Sequence, residues 1–268
     1  DLVDASGKVL VRNKALLSLK DYNLRSRIED LAEAGITSFK IEGRLKNASY
    51  VRNIVRYHSM KLDEIASRRP SEYERGSYGR VRSSFIPDPD KTFNRGYTEL
   101  YLDGKRGKWA AMDAAKSMGE EIGTVISTNR DKTSISIRPS KKGITLNNGD
   151  GFSFVGKDGN VTGFRGDVCE GTGIRCKSVP EIHLGARLFR NIDSAFEKEL
   201  DRAPSIREIL AKVTISFKRA ELGWEVSVTA RSEDGRTIVK SLSIEGEEAK
   251  NRERMEEIIR GQIGKNAG

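Results

Sequence analysis

The chain has 268 residues, 36% hydrophobic and 32% charged, which is enough apolar material for two or three compact domains. It carries 48 Lys and Arg against 39 Asp and Glu, a formal charge of +9 that gives weight to anionic partners. No apolar run approaches the roughly 20 residues a membrane-spanning helix needs, and no signal peptide is visible. A cytoplasmic protein with no membrane partner is expected. Its two cysteines, Cys169 and Cys176, have neither disulfide-framework nor metal-ligand spacing and are expected to be reduced, part-buried thiols.

Lys8 to Val11 reads as a short strand. Asp21 then offers a helix N-cap, Leu24, Ile28 and Leu31 recur at helical spacing, and Gly35 supplies a left-handed stop. The run Ile36 to Ile41 reads as a strand. After it, Asn47 or Ser49 caps a second helix, whose apolar positions Val51, Ile54, Val55, His58, Leu62 and Ile65 trace one face. This order is a piece of a parallel α/β layer. A parallel strand needs neighbours on both sides, so residues 1–67 are expected to be the last part of a larger α/β domain that begins upstream.

Residues 68–117 read as an irregular connector, interrupted by Arg68-Arg69-Pro70 and Pro87-Asp88-Pro89. Its aromatics (Tyr73, Tyr78, Phe85, Phe93, Tyr97, Tyr101) argue for a segment draped over a neighbour, since disordered linkers are poor in them. In residues 118–200 the pattern changes to short strands: Ile122 to Ser127, Thr133 to Arg138, Gly151 to Val155, Gly173 to Ser178 and Arg187 to Asn191. With turn sequences between them and no helix, they predict a small closed antiparallel β-barrel. Residues 201–268 predict strands Val213 to Lys218, Trp224 to Thr229 and Thr237 to Ile244, with a hairpin turn at Glu233-Asp234-Gly235-Arg236. A charged helix from Glu247 to Ile263 follows, with Met255, Ile258, Ile259, Gln262 and Ile263 facing inward, as the start of a further β/α unit. The fold class is therefore α+β and multidomain.

Chemistry concentrates in Lys40-Ile41-Glu42-Gly43-Arg44-Leu45-Lys46, a strand-to-helix turn of the kind where α/β enzymes place their working groups. Between Lys40 and Lys61 six basic residues (Lys40, Arg44, Lys46, Arg52, Arg56, Lys61) meet one acid, Glu42. A solvated cationic helix face accounts for the charge alone. Its place beside the Glu-Gly-Arg turn favours an anion-binding surface, with nucleic acid the natural ligand.

The order helix, Ala-Gly-Ile, strand, Lys-Ile-Glu-Gly-Arg, then a helix with Tyr50, followed by Phe93-Asn94-Arg95-Gly96-Tyr97-Thr98, resembles peptidase family U32, the collagenase-like proteins. The barrel region, with Gly-Glu-Glu-Ile-Gly-Thr-Val at 119–125, is similar to the small barrel that follows in family members and to the second domain of translation elongation factors. The resemblance implies a TIM-like catalytic domain with an iron–sulfur centre held by cysteines upstream of Lys-Ile-Glu-Gly-Arg. Cys169 and Cys176 do not match those positions, so no cofactor is expected in residues 1–268 themselves.

Glu42 stands where a TIM-barrel strand delivers a catalytic side chain, to orient a polar group or act as a base, and Gly43 allows the tight turn. Substrate binding falls to Lys40, Gly43, Arg44, Lys46, Arg52, Arg56, Asn94 and Arg95, with Arg44 and Lys40 suited to a phosphate or carboxylate. The plainer alternatives are a Glu42–Arg44 or Glu42–Arg95 ion pair, and an Asn94–Arg95 pair that only locks the connector. His58 and His183 read as structural, and no Ser–His–Asp, His-Glu-x-x-His or phosphate-loop pattern exists. Three readings remain: part of an enzyme that hydroxylates bases in ribosomal or transfer RNA, with RNA rather than DNA as partner; a protease acting on peptide or collagen-like substrates; or a non-catalytic binding module.

Overall fold

In the computed structural model, residues 1–104, 107–112 and 114–263 are described, and the chain divides into two units. The first comprises residues 1–75 and 83–205, the second residues 76–82 and 206–268.

The first unit opens with an antiparallel hairpin of β1 (Leu2–Val3) and β2 (Val9–Val11), then β3 (Asp21–Tyr22), α1 (Ile28–Glu33) and α2 (Ala48–Arg68). Asp21 is not a helix cap. It lies in β3 and pairs in parallel with a later strand, so the helix starts only at Ile28, and Gly35 ends it with φ +88°. The expected strand Ile36 to Ile41 is absent. Among the described residues no segment hydrogen-bonds alongside it, and Ile36 and Ile41 are exposed rather than sandwiched between layers. Asn47 caps α2 as expected, its Oδ1 accepting from the Tyr50 N–H at 3.0 Å. The buried face of α2 differs from the apolar pattern: Ser49, Asn53, Ile54 and Ile65 are buried, while Val51, Val55 and Leu62 are exposed. A buried Asn wins because its amide has backbone partners.

β4 (Arg80–Ser83) pairs within the second unit. In the first unit a short 3₁₀ turn at Pro89–Lys91 leads to β5 (Tyr97–Thr98), the parallel partner of β3. Phe85 is buried with Phe196, Leu200 and Ala203, so here the connector is draped as its aromatics predict.

Seven antiparallel strands then form one curled sheet: β6 (Glu120–Thr128), β7 (Ser134–Pro139), β8 (Gly151–Val155), β9 (Val161–Arg165), β10 (Val168–Glu170), β11 (Gly173–Arg175) and β12 (Arg187–Ile192), in the order β10-β11-β7-β6-β12-β8-β9. Period-2 alternation builds its core, in which Ile122, Val125, Ile135, Ile137, Phe152, Phe154, Ile174 and Leu188 are all essentially inaccessible. Each such side chain contributes about 1.5–3 kcal/mol. β9 and β10 were not evident in the sequence, because each is short and Gly163 breaks the apolar run. They are the two edges of the sheet and also consecutive in the chain. Between them Gly166 donates to the Asp150 carbonyl at 2.9 Å, and Asp167 donates to the Arg175 carbonyl at 2.8 Å. Among the described residues the two edge strands do not pair with each other, so the sheet is a curled half-barrel and not the closed barrel its strand pattern predicts. Contrary to the helix-free expectation, α3 (Ser194–Arg202) follows β12, with Asp193 as its N-cap and Phe196 and Leu200 buried.

In the second unit β13 (Ser205–Glu208) pairs with β4, and β14 (Ala211–Ala220), β15 (Gly223–Ser232) and β16 (Thr237–Ile244) form an antiparallel meander. The final helix, α4 (Arg252–Ile263), starts five residues later than the charge pattern suggests. It buries no residue, so the inward face expected for Met255, Ile258 and Ile263 is exposed. Among the described residues no helix is long and apolar enough to cross a membrane.

Candidate functional site

Two loops of the first unit build the site. In the turn before α2, the Lys46 N–H donates to the Gly43 carbonyl at 3.0 Å, and Leu45 takes the left-handed conformation at φ +62°. Asn47 then starts the helix. This short, capped turn fixes where Lys46 leaves the backbone.

The second loop is Phe93 to Thr98. Asn94 is buried and its amide nitrogen donates to the carbonyls of Asp90 and Thr92, each at 3.1 Å, while its Oδ1 accepts from the Gly96 N–H at 3.2 Å. Gly96 has φ +79°, a conformation glycine adopts freely, and its carbonyl accepts from the Asp21 N–H at 2.9 Å. The Asp21 carboxylate receives both the backbone N–H and the guanidinium of Arg95, each at 2.7 Å. Asn94 and Asp21 thus hold the loop rigid and present Phe93 and Arg95 beside the turn.

There the two loops meet. The Lys46 ammonium lies 3.0 Å from the centre of the Phe93 ring, and the Arg95 guanidinium carbon is 5.9 Å from the same centre. The centre of the Tyr50 ring lies 5.9 Å from the Lys46 ammonium. Partial burial lowers the Lys46 pKa below the usual lysine value, Asp21 opposes this, and the neighbouring Arg95 reinforces it. An open cleft of about 380 Å³ adjoins the ring, lined by Leu45, Lys46, Asn47, Phe93, Ser117 and Glu197.

The other expected residues are placed differently. Lys40 and Glu42 pair with each other at 3.0 Å on an exposed surface, so Glu42 meets neither Arg44 nor Arg95. The Lys40 hydrogen bond, helped by Arg44, holds the Glu42 carboxyl below the usual range. Arg44 is exposed, and a Cβ on Gly43 would come within 3.3 Å of Val51. Arg52 turns away from the turn and donates to the carbonyls of Leu200 and Ala203 at the end of α3. The Arg56 Nε is buried and has no hydrogen-bond partner among the described residues. Lys46, Asn94 and Arg95 are therefore brought together, Lys40, Glu42 and Arg44 stay on the exposed turn, and Arg52 lies at the α2–α3 joint.

Sequence reasoning passed over Asp21 and Phe93 as site residues, although Phe93 opens the Phe-Asn-Arg-Gly-Tyr-Thr motif; Asp21 lies far from both motifs in sequence. It also missed a buried ionic cluster in which Arg190 meets Glu120 at 2.7 Å, Asp193 at 3.2 Å and Asp150 at 3.4 Å, all four buried. Lys141 reaches Glu120 at 2.8 Å and Lys91 reaches Asp193 at 3.3 Å. An arginine within the core strand β12 is the one signal that pointed to it.

An iron–sulfur centre needs several thiolates, as a rule four. The chain has two cysteines. Burial pushes the Cys169 thiol up to about 11 and raises that of Cys176 as well. Among the described residues no group of three or more metal-ligating side chains exists. These residues do not fit such a centre. The His58 Nδ1 is taken up by the Ile54 carbonyl at 2.9 Å, and the His183 Nδ1 is buried with no partner among the described residues.

Residues 3–111 match the family model described as peptidase family U32. The chain is 32% identical to a 23S rRNA 5-hydroxycytidine synthase of Escherichia coli (strain K12), over 94% of this chain and 38% of that protein. It is 27% identical to an uncharacterized protease of Methanocaldococcus jannaschii, over 77% of this chain and 48% of that protein. A tRNA hydroxylation protein of Bacillus subtilis (strain 168) is 25% identical, over 53% of this chain and 32% of its own length. The chain thus spans less than half the length of each of these relatives. No solved structure gives a significant match.

Proposed function

The chain belongs to peptidase family U32, and on that premise we propose that it forms the RNA-binding flank of an enzyme that hydroxylates a base in ribosomal or transfer RNA. The observation that carries this reading is the convergence of Lys46 and Arg95 on one aromatic ring, Phe93, beside an open cleft. Cations for phosphate and a ring for stacking are the two elements by which proteins hold unpaired nucleotides. Two relatives, 32% and 25% identical, are named for RNA hydroxylation, which supports the same reading. Lys40, Arg44 and Glu42 extend the surface along the exposed turn, with Glu42 oriented by Lys40 toward a polar group of the substrate. Gly43 keeps that turn tight.

The iron–sulfur centre belongs to this proposal only as a property of the longer relatives' remaining length. So do the TIM-like origin of residues 1–67 and the translation-factor-like character of the curled sheet. The protease reading has less support from the residues. A thiol with a pKa of about 11 is protonated at neutral pH, and His58 is held by its own helix. The test is fluorescence anisotropy of the chain with a labelled RNA hairpin across a salt series. Binding that weakens linearly in log salt is expected. Absence of binding at low salt would refute the proposal.

A further inference from the structure

Leu45 stands out on this surface. It is 96% exposed, at a backbone angle of φ +62° that a leucine adopts only at an energetic cost and a glycine adopts freely. A single exposed leucine is ordinary. An exposed leucine on strained backbone is not, because no packing within the chain offsets the strain. Its neighbours are Arg44 and Lys46, and it borders the same cleft as Phe93. The turn carrying it is held by the Lys46-to-Gly43 hydrogen bond and by the Asn47 cap.

We infer that Leu45 is a wedge that enters the base stack of a structured RNA, and that the adjoining cleft receives the displaced nucleotide. Apolar side chains inserted between base steps unstack them, and enzymes that act on a base must first extrude it. The required features converge here: an apolar tip on a rigid turn, cations on both sides to neutralise the flanking phosphates, and an aromatic ring beside a space of about 380 Å³, within the range of pockets that hold small ligands. The left-handed turn leaves the Leu45 side chain projecting into solvent. The inference rests on the RNA reading above but can fail separately from it.

The experiment uses the full 268-residue chain and an RNA hairpin carrying 2-aminopurine, whose fluorescence rises when it leaves the stack. The unsubstituted chain is expected to raise the fluorescence on binding. Leu45→Ala and Leu45→Gly should abolish the rise while leaving the salt slope of binding unchanged, since no charge is lost. Leu45→Met should retain it. Leu45→Gly should also raise the melting temperature by relieving the backbone, so loss of the signal could not be ascribed to misfolding. Salt-dependent binding without a fluorescence rise, or a full rise with Leu45→Ala, overturns the wedge and leaves the RNA reading standing. No RNA binding by the unsubstituted chain, or Leu45-dependent binding of a collagen-like peptide in place of RNA, overturns both.

Discussion

Asn53 grips Asp88 by both of its backbone groups: its amide nitrogen donates to the Asp88 carbonyl at 2.7 Å, and its Oδ1 accepts from the Asp88 N–H at 2.8 Å. The same nitrogen reaches the Thr92 hydroxyl at 3.0 Å, and Asn53 is completely buried. One helix side chain thus substitutes for a missing strand neighbour of residues 88–92 and sets the height at which Phe93 emerges. Asn53→Ala strands both Asp88 groups in the interior and is expected to cost about 2–4 kcal/mol of stability. Urea denaturation measures this, and a loss below about 1 kcal/mol would show that water replaces the amide.

Arg52 and Lys46 separate structure from binding. Arg52→Ala removes the donors that satisfy the last carbonyls of α3, so it should destabilise by about 1–3 kcal/mol. It should leave the salt slope of RNA binding where it was. Lys46→Ala should do the reverse, lowering the slope by about one with little change in stability. A slope change with Arg52→Ala would mean that its guanidinium leaves α3 to meet RNA.

Arg95 contributes to binding and to loop order together, because Asp21 holds both its backbone and its side chain. Asp21→Asn keeps the β3–β5 pairing while weakening that hold. The expected outcome is weaker RNA affinity at unchanged salt slope, measured by anisotropy. An unchanged affinity would show that the loop is rigid without the carboxylate.

Burial alone would raise the Glu120 carboxyl, but hydrogen bonds from Lys141 and Arg190 outweigh it and hold the group below its usual value of 4.5. A carboxyl depressed in the folded state contributes stability that is present above the unfolded pKa and lost as pH falls through the folded one. Stability should therefore fall as the solution is acidified below about pH 4.5. Urea midpoints across that range should show a shallower acid loss for Glu120→Gln than for the unsubstituted chain. A parallel pair of curves would remove Glu120 from the account.

Much of the curled sheet was legible because Ile135, Ile137, Phe152 and Phe154 alternate with smaller or polar residues, and period 2 is a local signal. Asn47 was equally legible, since capping depends on one side chain and the backbone just after it. The strand expected at Ile36 to Ile41 failed for the opposite reason. Its apolar content is compatible with a strand, but a strand exists only with a partner, and partners are not written locally. Of the site, Lys46, Asn94 and Arg95 could be singled out from two motifs. That Phe93 receives both cations could not, because the contact depends on Asn53 and Asp21, residues far from either motif in sequence. Arg52 looked like its basic neighbours, and only the position of α3 distinguishes it.

The peptide bond between Gly166 and Asp167 has a consequence for both edges of the sheet. An exposed sheet edge is a template on which another chain can add a strand. Here the two edges, β9 and β10, are successive segments of one chain joined by that bond, so a single joint sets where both lie. A Cβ on Gly166 would come within 2.8 Å of both Phe152 and the Cys169 sulfur. Gly166→Val would force the joint apart and displace both edges at once, turning one local steric clash into disorder at both ends of the sheet.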